Sequence, residues 1–582
     1  MSKIMIGSTC DVTLRMAEAV SPKFTRTVDL RERFGSVVAF GKLGIKTNNI
    51  FSSDLGFAVG VGTFVYEGVL DDDALAGIFR DFSGNVRDMQ RKIVGSYALA
   101  IWKGGKLTIF VDSNGIYDLY YCFEDGFAAI CNSLFLIGAA LPKVSINSEA
   151  MVQQLFQSCV IGTDSIIRGV SKLSGDQSIE WVKRDWRLVP LHDVSFGVRD
   201  FEELASATVT RYGGLRECFS SPAVAMTGGQ DSRLALAVLL GAKIDPRLVY
   251  WRGNSISTNT KERDFECVRE IADKCALDIE LWDASDSCRD RYVESLYSFG
   301  EYSRLYGYNE NLIAELYATS CDFLTFGYFG EIFRNIEEID AYPNEVFSIE
   351  EYFDELCLRG GYKKIYPEYQ NYREHRIKDL RYICKKLNLD PERLSKDDFQ
   401  HLNTETYRKR ADTHMTNFVN QFRYSFPLLG DRMLTDTMND MGYKERVGSR
   451  PMLKMLDQLA PDLLSVPFFS HIRRMKVDAR RLVLREGNSL MLSVKQYLQR
   501  NKKNAWYYSA ARKAYHIINR DGKSLREISG EGDARKPLLE ALAEAEILSM
   551  LDRDQLQMLE LDSNILLDIL HYEYMFQEMV RA

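Results

Sequence analysis

Between Gly35 and Ala140 the apolar residues fall in short, often alternating runs punctuated by Gly, Asn and Asp, as in Gly56 to Tyr66, Ser96 to Trp102 and Leu107 to Val111. Period-two alternation bounded by turn residues predicts β-hairpins, and a second group of strands is expected around Ser178 to Trp186. The pattern changes after a polar stretch near Asp193 to Asp200. Phe201 to Cys218 has helical spacing. Apolar runs then alternate with helical periodicity: Ala223 to Met226, Arg247 to Trp251, Ile279 to Trp282 and Asp322 to Phe326 as strands, with Leu234 to Leu240 and Glu262 to Cys275 as helices. Strand and helix in alternation predict a parallel sheet with helices on both faces. From about Ser348 helical stretches dominate, and Pro537 to Met579 reads as two or three amphipathic helices. The expected fold class is α/β plus α+β: a β-rich sandwich over 1–195, a parallel-sheet domain over 196–470 and a helical C-terminal extension over 471–582.

Composition narrows the function classes. A chain of 582 residues exceeds one ordinary core. Its net charge of −8 argues against nonspecific nucleic-acid binding by the whole molecule. No apolar run approaches the roughly 18 to 20 residues that span a bilayer, and Met1 to Ile6 turns polar too soon for a signal peptide. A cytoplasmic protein is therefore expected, without a membrane partner. The 11 cysteines include no C-x-x-C pair and no Cys/His cluster at zinc spacing, so reduced thiols are expected and neither disulfides nor zinc.

The candidate chemistry begins at Met226-Thr227-Gly228-Gly229-Gln230-Asp231-Ser232-Arg233, between an apolar strand and an apolar helix. Adjacent glycines let backbone N–H groups close on a phosphate, the helix start adds partial positive charge, and Asp231 is suited to a magnesium ion bridging phosphates. The expected ligand is therefore a nucleotide with Mg2+, and the resemblance below implies ATP. No lysine follows, so this is not the G-x-x-x-x-G-K-[ST] loop, and a third glycine for a dinucleotide fingerprint is missing. The stretch resembles the S-G-G-x-D-S pyrophosphate loop of enzymes that split ATP into AMP and pyrophosphate. The bland alternative is a glycine turn between strand and helix.

Several other segments resemble the asparagine synthetase family. Gly95 to Trp102, Val111-Asp112-Ser113-Asn114-Gly115, Leu119-Tyr120-Tyr121 and Asn132-Ser133 are similar to its glutaminase-like, Ntn-hydrolase-like domain. That domain starts with a catalytic cysteine after the initiator methionine. Here position 2 is Ser2 and the first cysteine is Cys10, so the resemblance is to relatives that lost glutamine hydrolysis, such as the β-lactam synthetases and lasso-peptide cyclases. Tyr250-Trp251-Arg252-Gly253 falls where the family's backbone recognises adenine. Lys261 to Asp264 resembles its acidic helix start, although Asp264 also reads as a plain first-turn charge. Leu324 to Arg334 resembles S-G-[ED]-G-A-D-E-[LI]-F through Gly327, Gly330 and Glu331-Ile332-Phe333, one residue short and in ambiguous register. The resemblance makes Glu331 the second magnesium carboxylate beside Asp231. Arg233 and Arg334 are candidates for phosphate or an acidic substrate, or for structural ion pairs. Phe426 to Asp431 resembles the family's P-F-L-D segment, and Pro461 to Pro467 the apolar stretch after it. Of Lys444, Arg446 and Arg450 between them, Arg446 is favoured to stabilise the leaving pyrophosphate.

The implied function is an ATP-dependent carbon-nitrogen ligase that adenylates a carboxylate, releases pyrophosphate and passes the acyl group to an amine, giving an amide and AMP. Tyr306, Tyr308 and Glu310 are candidates for the general base, as in the β-lactam synthetases. Without ammonia made in cis, the partners are a carboxylate substrate, peptide or small molecule, and an amine from the same molecule, another metabolite or free ammonia. Intramolecular cyclisation of the lasso-peptide or β-lactam type fits, as does amidation of a sugar acid. The competing readings are a tRNA-modifying enzyme, with His471 to Arg500 as a basic patch, and a non-catalytic scaffold for a partner enzyme.

Overall fold

The computed structural model describes residues 2–468, apart from 125, 158, 193, 199, 253–257, 284–291, 303–309, 335–338, 340–343, 358–365 and 412, together with 550 and 563–581. Gly253, Tyr306, Tyr308 and most of the expected C-terminal extension, including the basic patch, lie outside the described residues.

Twelve strands build the N-terminal half: β1 (Lys3–Gly7), β2 (Arg26–Glu32), β3 (Gly35–Phe40), β4 (Ile50–Ser53), β5 (Gly56–Val65), β6 (Val94–Lys103), β7 (Lys106–Val111), β8 (Tyr120–Glu124), β9 (Phe127–Cys131), β10 (Ser171–Lys172), β11 (Gln177–Val182) and β12 (Asp185–Pro190). They form two six-stranded sheets, in the orders β10-β8-β9-β1-β3-β2 and β12-β11-β7-β6-β5-β4. The pairings are antiparallel.

Side chains alternate across each strand, yet both faces are covered. Ile4, Ile6, Val37 and Ile130 meet Val59, Val61, Ala98, Ala100 and Ile109 between the sheets. The intervening Met5, Val38 and Cys131 lie in one core with the helices Leu134–Ala140 and Ser148–Gln157. Leu99, Ile101 and Phe110 pack under the helices Asp71–Asp81 and Val86–Lys92. The hairpin pattern thus becomes the inner two layers of four, which explains why Tyr97 to Trp102 is apolar at every position. The last described helix, Ser563–Arg581, adds Ile569, Tyr572, Met575 and Phe576 to the core of the first sheet's outer face. Met579 seats on Gly138, where an added Cβ would come within 2.5 Å of its sulfur.

The second half carries a four-stranded parallel sheet of β13 (Pro222–Ala225), β14 (Arg247–Arg252), β15 (Ile279–Asp283) and β16 (Phe323–Thr325), in the order β15-β14-β13-β16. Val224 and Leu248 face the helix Gln230–Gly241, buried from Ser232 through Leu239. Ala223, Val249 and Leu324 face Leu312, Leu316, Phe418 and Phe422 on the other side. The strands are parallel, so the chain leaves β13, β14 and β16 at the same edge, where ligands of open α/β sheets sit. No helix among the described residues is long and apolar enough to cross a membrane.

Buried polar contacts join the halves. Asn420 accepts from the Thr63 hydroxyl at 2.7 Å and from Lys42 Nζ at 3.2 Å, and donates to the Ser425 carbonyl at 2.7 Å. Asn114 donates to the Gly430 carbonyl at 2.8 Å and to the Thr435 hydroxyl at 3.0 Å. Asn114 is aimed by the turn around Asp112, whose carboxyl accepts the backbone N–H groups of Ile116 at 3.0 Å and Tyr117 at 2.8 Å. Burial raises Asp112 to about 6 despite these bonds. An acid whose folded value is raised binds its proton more tightly folded than unfolded, so its contribution is full below the ordinary carboxylate value and is lost as pH rises to about 6. Asp112→Asn keeps one acceptor oxygen and should flatten the fall in stability between about pH 4 and pH 6. Urea midpoints of the two chains across that window check it; parallel pH profiles would contradict it.

Candidate functional site

The glycine loop follows β13 and is held open at the sheet edge by its own hydroxyls and by one carboxylate. Thr227 N–H donates to Ser232 Oγ at 3.1 Å, the two hydroxyls lie 3.0 Å apart, and Gly229 N–H donates to Thr227 Oγ1 at 3.2 Å. Gly228 N–H donates to Asp264 Oδ1 at 2.8 Å. Asp264 lies inside the helix Thr258–Cys275 and is nearly buried, so it braces the loop and is not a first-turn charge.

The second glycine segment leaves β16 directly against the first. A Cβ on Gly327 would lie 2.4 Å from the Ser232 nitrogen, and one on Gly330 would lie 2.5 Å from Asp231 Cβ. Between them Phe329 takes φ 69°, a conformation costly for a bulky residue. Its ring lies against the Gly430 position, where an added Cβ would come within 2.9 Å of it.

This contact brings the two expected carboxylates together. Arg334 lies 3.3 Å from Asp231 Oδ2 and 3.2 Å from Glu331 Oε1, and Arg408 pairs with Glu331 as well. Desolvation raises Asp231 above the usual carboxylate value, while Arg334 and Arg408 pull it back. Asp231 Oδ1 is buried and makes no hydrogen bond with a described residue. An uncommitted oxygen beside a second carboxylate fits a hard cation that completes its shell with phosphate and water. Among the described residues no group of three or more His, Cys, Asp and Glu side chains could hold a metal by itself.

Met226, Thr227, Asp231, Ser232, Gly327 and Glu331 line a cavity of about 410 Å³. Tyr250 and Trp251 from the end of β14 form another wall, and the indole N–H of Trp251 has no partner among the described residues. Trp251 packs edge-on to Phe326 with ring centroids 5.8 Å apart, and Phe326 continues to Tyr328 at 5.2 Å.

Two expected ligands of the nucleotide lie elsewhere. Arg233 is fully buried and turned away from the cavity, donating to the carbonyls of Leu463 at 3.0 Å, Pro467 at 3.2 Å and Gly228 at 3.3 Å. Its guanidinium sits 4.3 Å from the centre of the Phe468 ring, and burial lowers it to about 10. The reason is local: the helix Gln230–Gly241 is buried all round, so an arginine in its first turn has carbonyls as its only outlet. Arg446 is also buried, with its Nη2 donating to the carbonyls of Met438 and Met441 and its Nε and Nη1 making no hydrogen bond with a described residue, and burial lowers it to about 10. It caps the end of the helix Arg432–Asp440 and does not line the cavity. Glu310 opens the helix Glu310–Ala318, and its side chain is outside the described residues. Ser2, at the position of the family's cysteine, is buried with its hydroxyl donating to the Gly41 carbonyl at 2.6 Å.

Arg408, Tyr328 and the bracing role of Asp264 were missing from the sequence reading. Asp264 carried a signal, an acid in the helix after β14. Arg408, far along the chain from both motifs, carried none.

No protein-family model and no curated protein sequence matches the chain. Among solved structures, the chain is similar to a glutamine phosphoribosylpyrophosphate (PRPP) amidotransferase from B. subtilis complexed with ADP and GMP, at 8% identity and a TM-score of 0.22, over 48% of this chain and 65% of that one. It is also similar to a structure described as the allosteric regulatory enzyme of purine biosynthesis, at 10% identity and a TM-score of 0.19, over 44% of this chain and 68% of that one.

The contact between the glycine segments makes a sharp prediction. Gly330→Ala places a methyl group on Asp231 and should destabilise the fold by about 1–3 kcal/mol, because the overpacked contact must give way, while far-UV circular dichroism stays unchanged. Urea midpoints of the two chains check this; a wild-type midpoint in the variant would contradict it.

Proposed function

We propose that the chain is an ATP-dependent, AMP-forming amide synthetase of the asparagine synthetase-like kind, which joins a carboxylate to an amine without hydrolysing glutamine itself. The observation that carries this reading is the meeting of the two glycine segments, which sets Asp231 and Glu331 side by side at the mouth of the loop.

In this reading the phosphates of ATP lie over Thr227 to Ser232 and the base lies toward Tyr250 and Trp251, where the unpartnered indole N–H offers a donor. Magnesium held by Asp231 and Glu331 would neutralise phosphate charge. Arg334 and Arg408, which hold these two carboxylates in place, are set to turn toward the departing pyrophosphate. A substrate carboxylate oxygen attacks the α-phosphorus and the bond to pyrophosphate breaks. The amine nitrogen then attacks the acyl carbon, the bond from that carbon to the AMP oxygen breaks, and the displaced proton passes to solvent. Positioning and charge stabilisation supply most of the rate.

The N-terminal half bears on the nitrogen source in this reading. An N-terminal nucleophile needs a reactive side chain beside its own amino group, whereas the Ser2 hydroxyl is tied to Gly41 and its amide N–H to the Phe40 carbonyl at 3.1 Å. This supports an amine brought by a substrate.

Pyrophosphate release from ATP and magnesium, across a panel of carboxylic acids, tests the proposal. Release should require an acid and should fall at least a hundredfold, about 2.7 kcal/mol, in Asp231→Asn. Release that is equal in the two chains would remove Asp231 from the chemistry, and no release with any acid would favour the scaffold reading.

A further inference from the structure

Beside the nucleotide cavity lies a second space of about 370 Å³, bounded by the sandwich, the helical half and the C-terminal helix. That volume is within the range of small-molecule sites. Tyr328 lines both spaces. Tyr120, Tyr302, Tyr407 and Tyr572 come from four distant parts of the chain to complete its aromatic lining. Ring faces favour cations and hydroxyls offer hydrogen bonds, so such a lining suits a small polar ligand.

The charged groups facing this chamber are unequal. Asp118 pairs with Lys172, accepts from the Tyr302 hydroxyl at 2.7 Å and from the Asn417 amide at 3.2 Å. Glu301 accepts from Ser133 Oγ at 3.1 Å and from the backbone N–H groups of Leu134 at 2.9 Å and Phe135 at 3.4 Å. Asp164 lies 3.4 Å from Arg376. Each acid is thus engaged within the protein, and Lys172 is used by Asp118. Arg410 lines the same chamber and also a neighbouring space with Glu405, Asp436 and Asp440, acts electrostatically on Tyr120, and forms no ion pair with a described residue. A guanidinium presents a planar fork of donors matched to a carboxylate.

Resting on the amide-synthetase reading, we propose that this chamber holds the amine substrate and that the amine is an α-amino acid. Its carboxylate sits on Arg410, and its amino group faces the tyrosine rings on the side of Tyr328, the residue shared with the nucleotide cavity. The tyrosine ring faces suit the ammonium end and Arg410 the carboxylate, so a zwitterion is matched at both ends.

The full-length chain, with no nucleotide present, is screened against the twenty L-amino acids by saturation-transfer NMR, and hits are titrated calorimetrically. At least one should bind saturably with Kd at or below about 1 mM, and its decarboxylated amine should bind at least about tenfold more weakly to the same wild-type chain. Arg410→Gln should weaken the amino acid by about tenfold or more, with Arg410→Lys in between. No saturable binding below about 10 mM, equal binding of the decarboxylated amine, or wild-type affinity in Arg410→Gln would overturn the assignment. Because ATP is absent, failure of the nucleotide chemistry leaves this readout intact, and the two readings fail separately.

Discussion

The site depends on two stretches of backbone approaching more closely than side chains permit. Gly327 lies over the Ser232 nitrogen and Gly330 over the Asp231 side chain, with no room at either for a Cβ. That contact sets the Asp231 and Glu331 carboxylates within reach of one arginine. It is held although Phe329 sits in a left-handed conformation, a local cost on the order of 1–3 kcal/mol. Burial of the Phe329 ring against Gly430 offsets it.

Gly430 connects this contact to the other half of the molecule. Its carbonyl accepts from Asn114, in the turn organised by Asp112, while its α-carbon faces the Phe329 ring. Arg211 makes a parallel link, pairing with Asp431 at 2.9 Å and donating to the Ile93 carbonyl at 3.0 Å. Buried polar contacts of this kind are costly when half satisfied, so they allow few relative placements of the two halves. The sandwich acts as a fixed wall behind the second glycine segment and beside the tyrosine-lined chamber. The sandwich half thereby has a physical role in the site.

Legibility in the sequence followed the range of the interactions. The strand, glycine turn and helix from Ala223 to Leu240 were readable because propensity, apolar pattern and turn chemistry coincide within eighteen residues. The strands Gly56–Val65, Val94–Lys103 and Lys106–Val111 were readable for the same reason. The helices over the outer faces of the two sheets were missed, although the complete burial of Tyr97 to Trp102 implied a cover on both sides. Arg233 was misplaced because a basic residue in a glycine loop at a helix start invites a ligand role. The unbroken apolar run after it was the contrary signal, since such a helix leaves no solvent face for a guanidinium. Arg446 has no comparable signal: no unbroken apolar run surrounds it, and only the packing of one helix end turns it toward carbonyls.

By itself the sequence determined the parts whose physics is local: a β-rich half, a parallel sheet, a glycine loop at a helix start, and the lack of a cysteine at position 2. The tertiary structure decided which distant residues share a space. It brought Arg408 to Glu331, Asp264 to Gly228, and Tyr120, Tyr328 and Tyr572 to one chamber. Period and propensity fix an element's type and its buried face. Partners separated by hundreds of residues are set by close packing and by the need to satisfy buried polar groups.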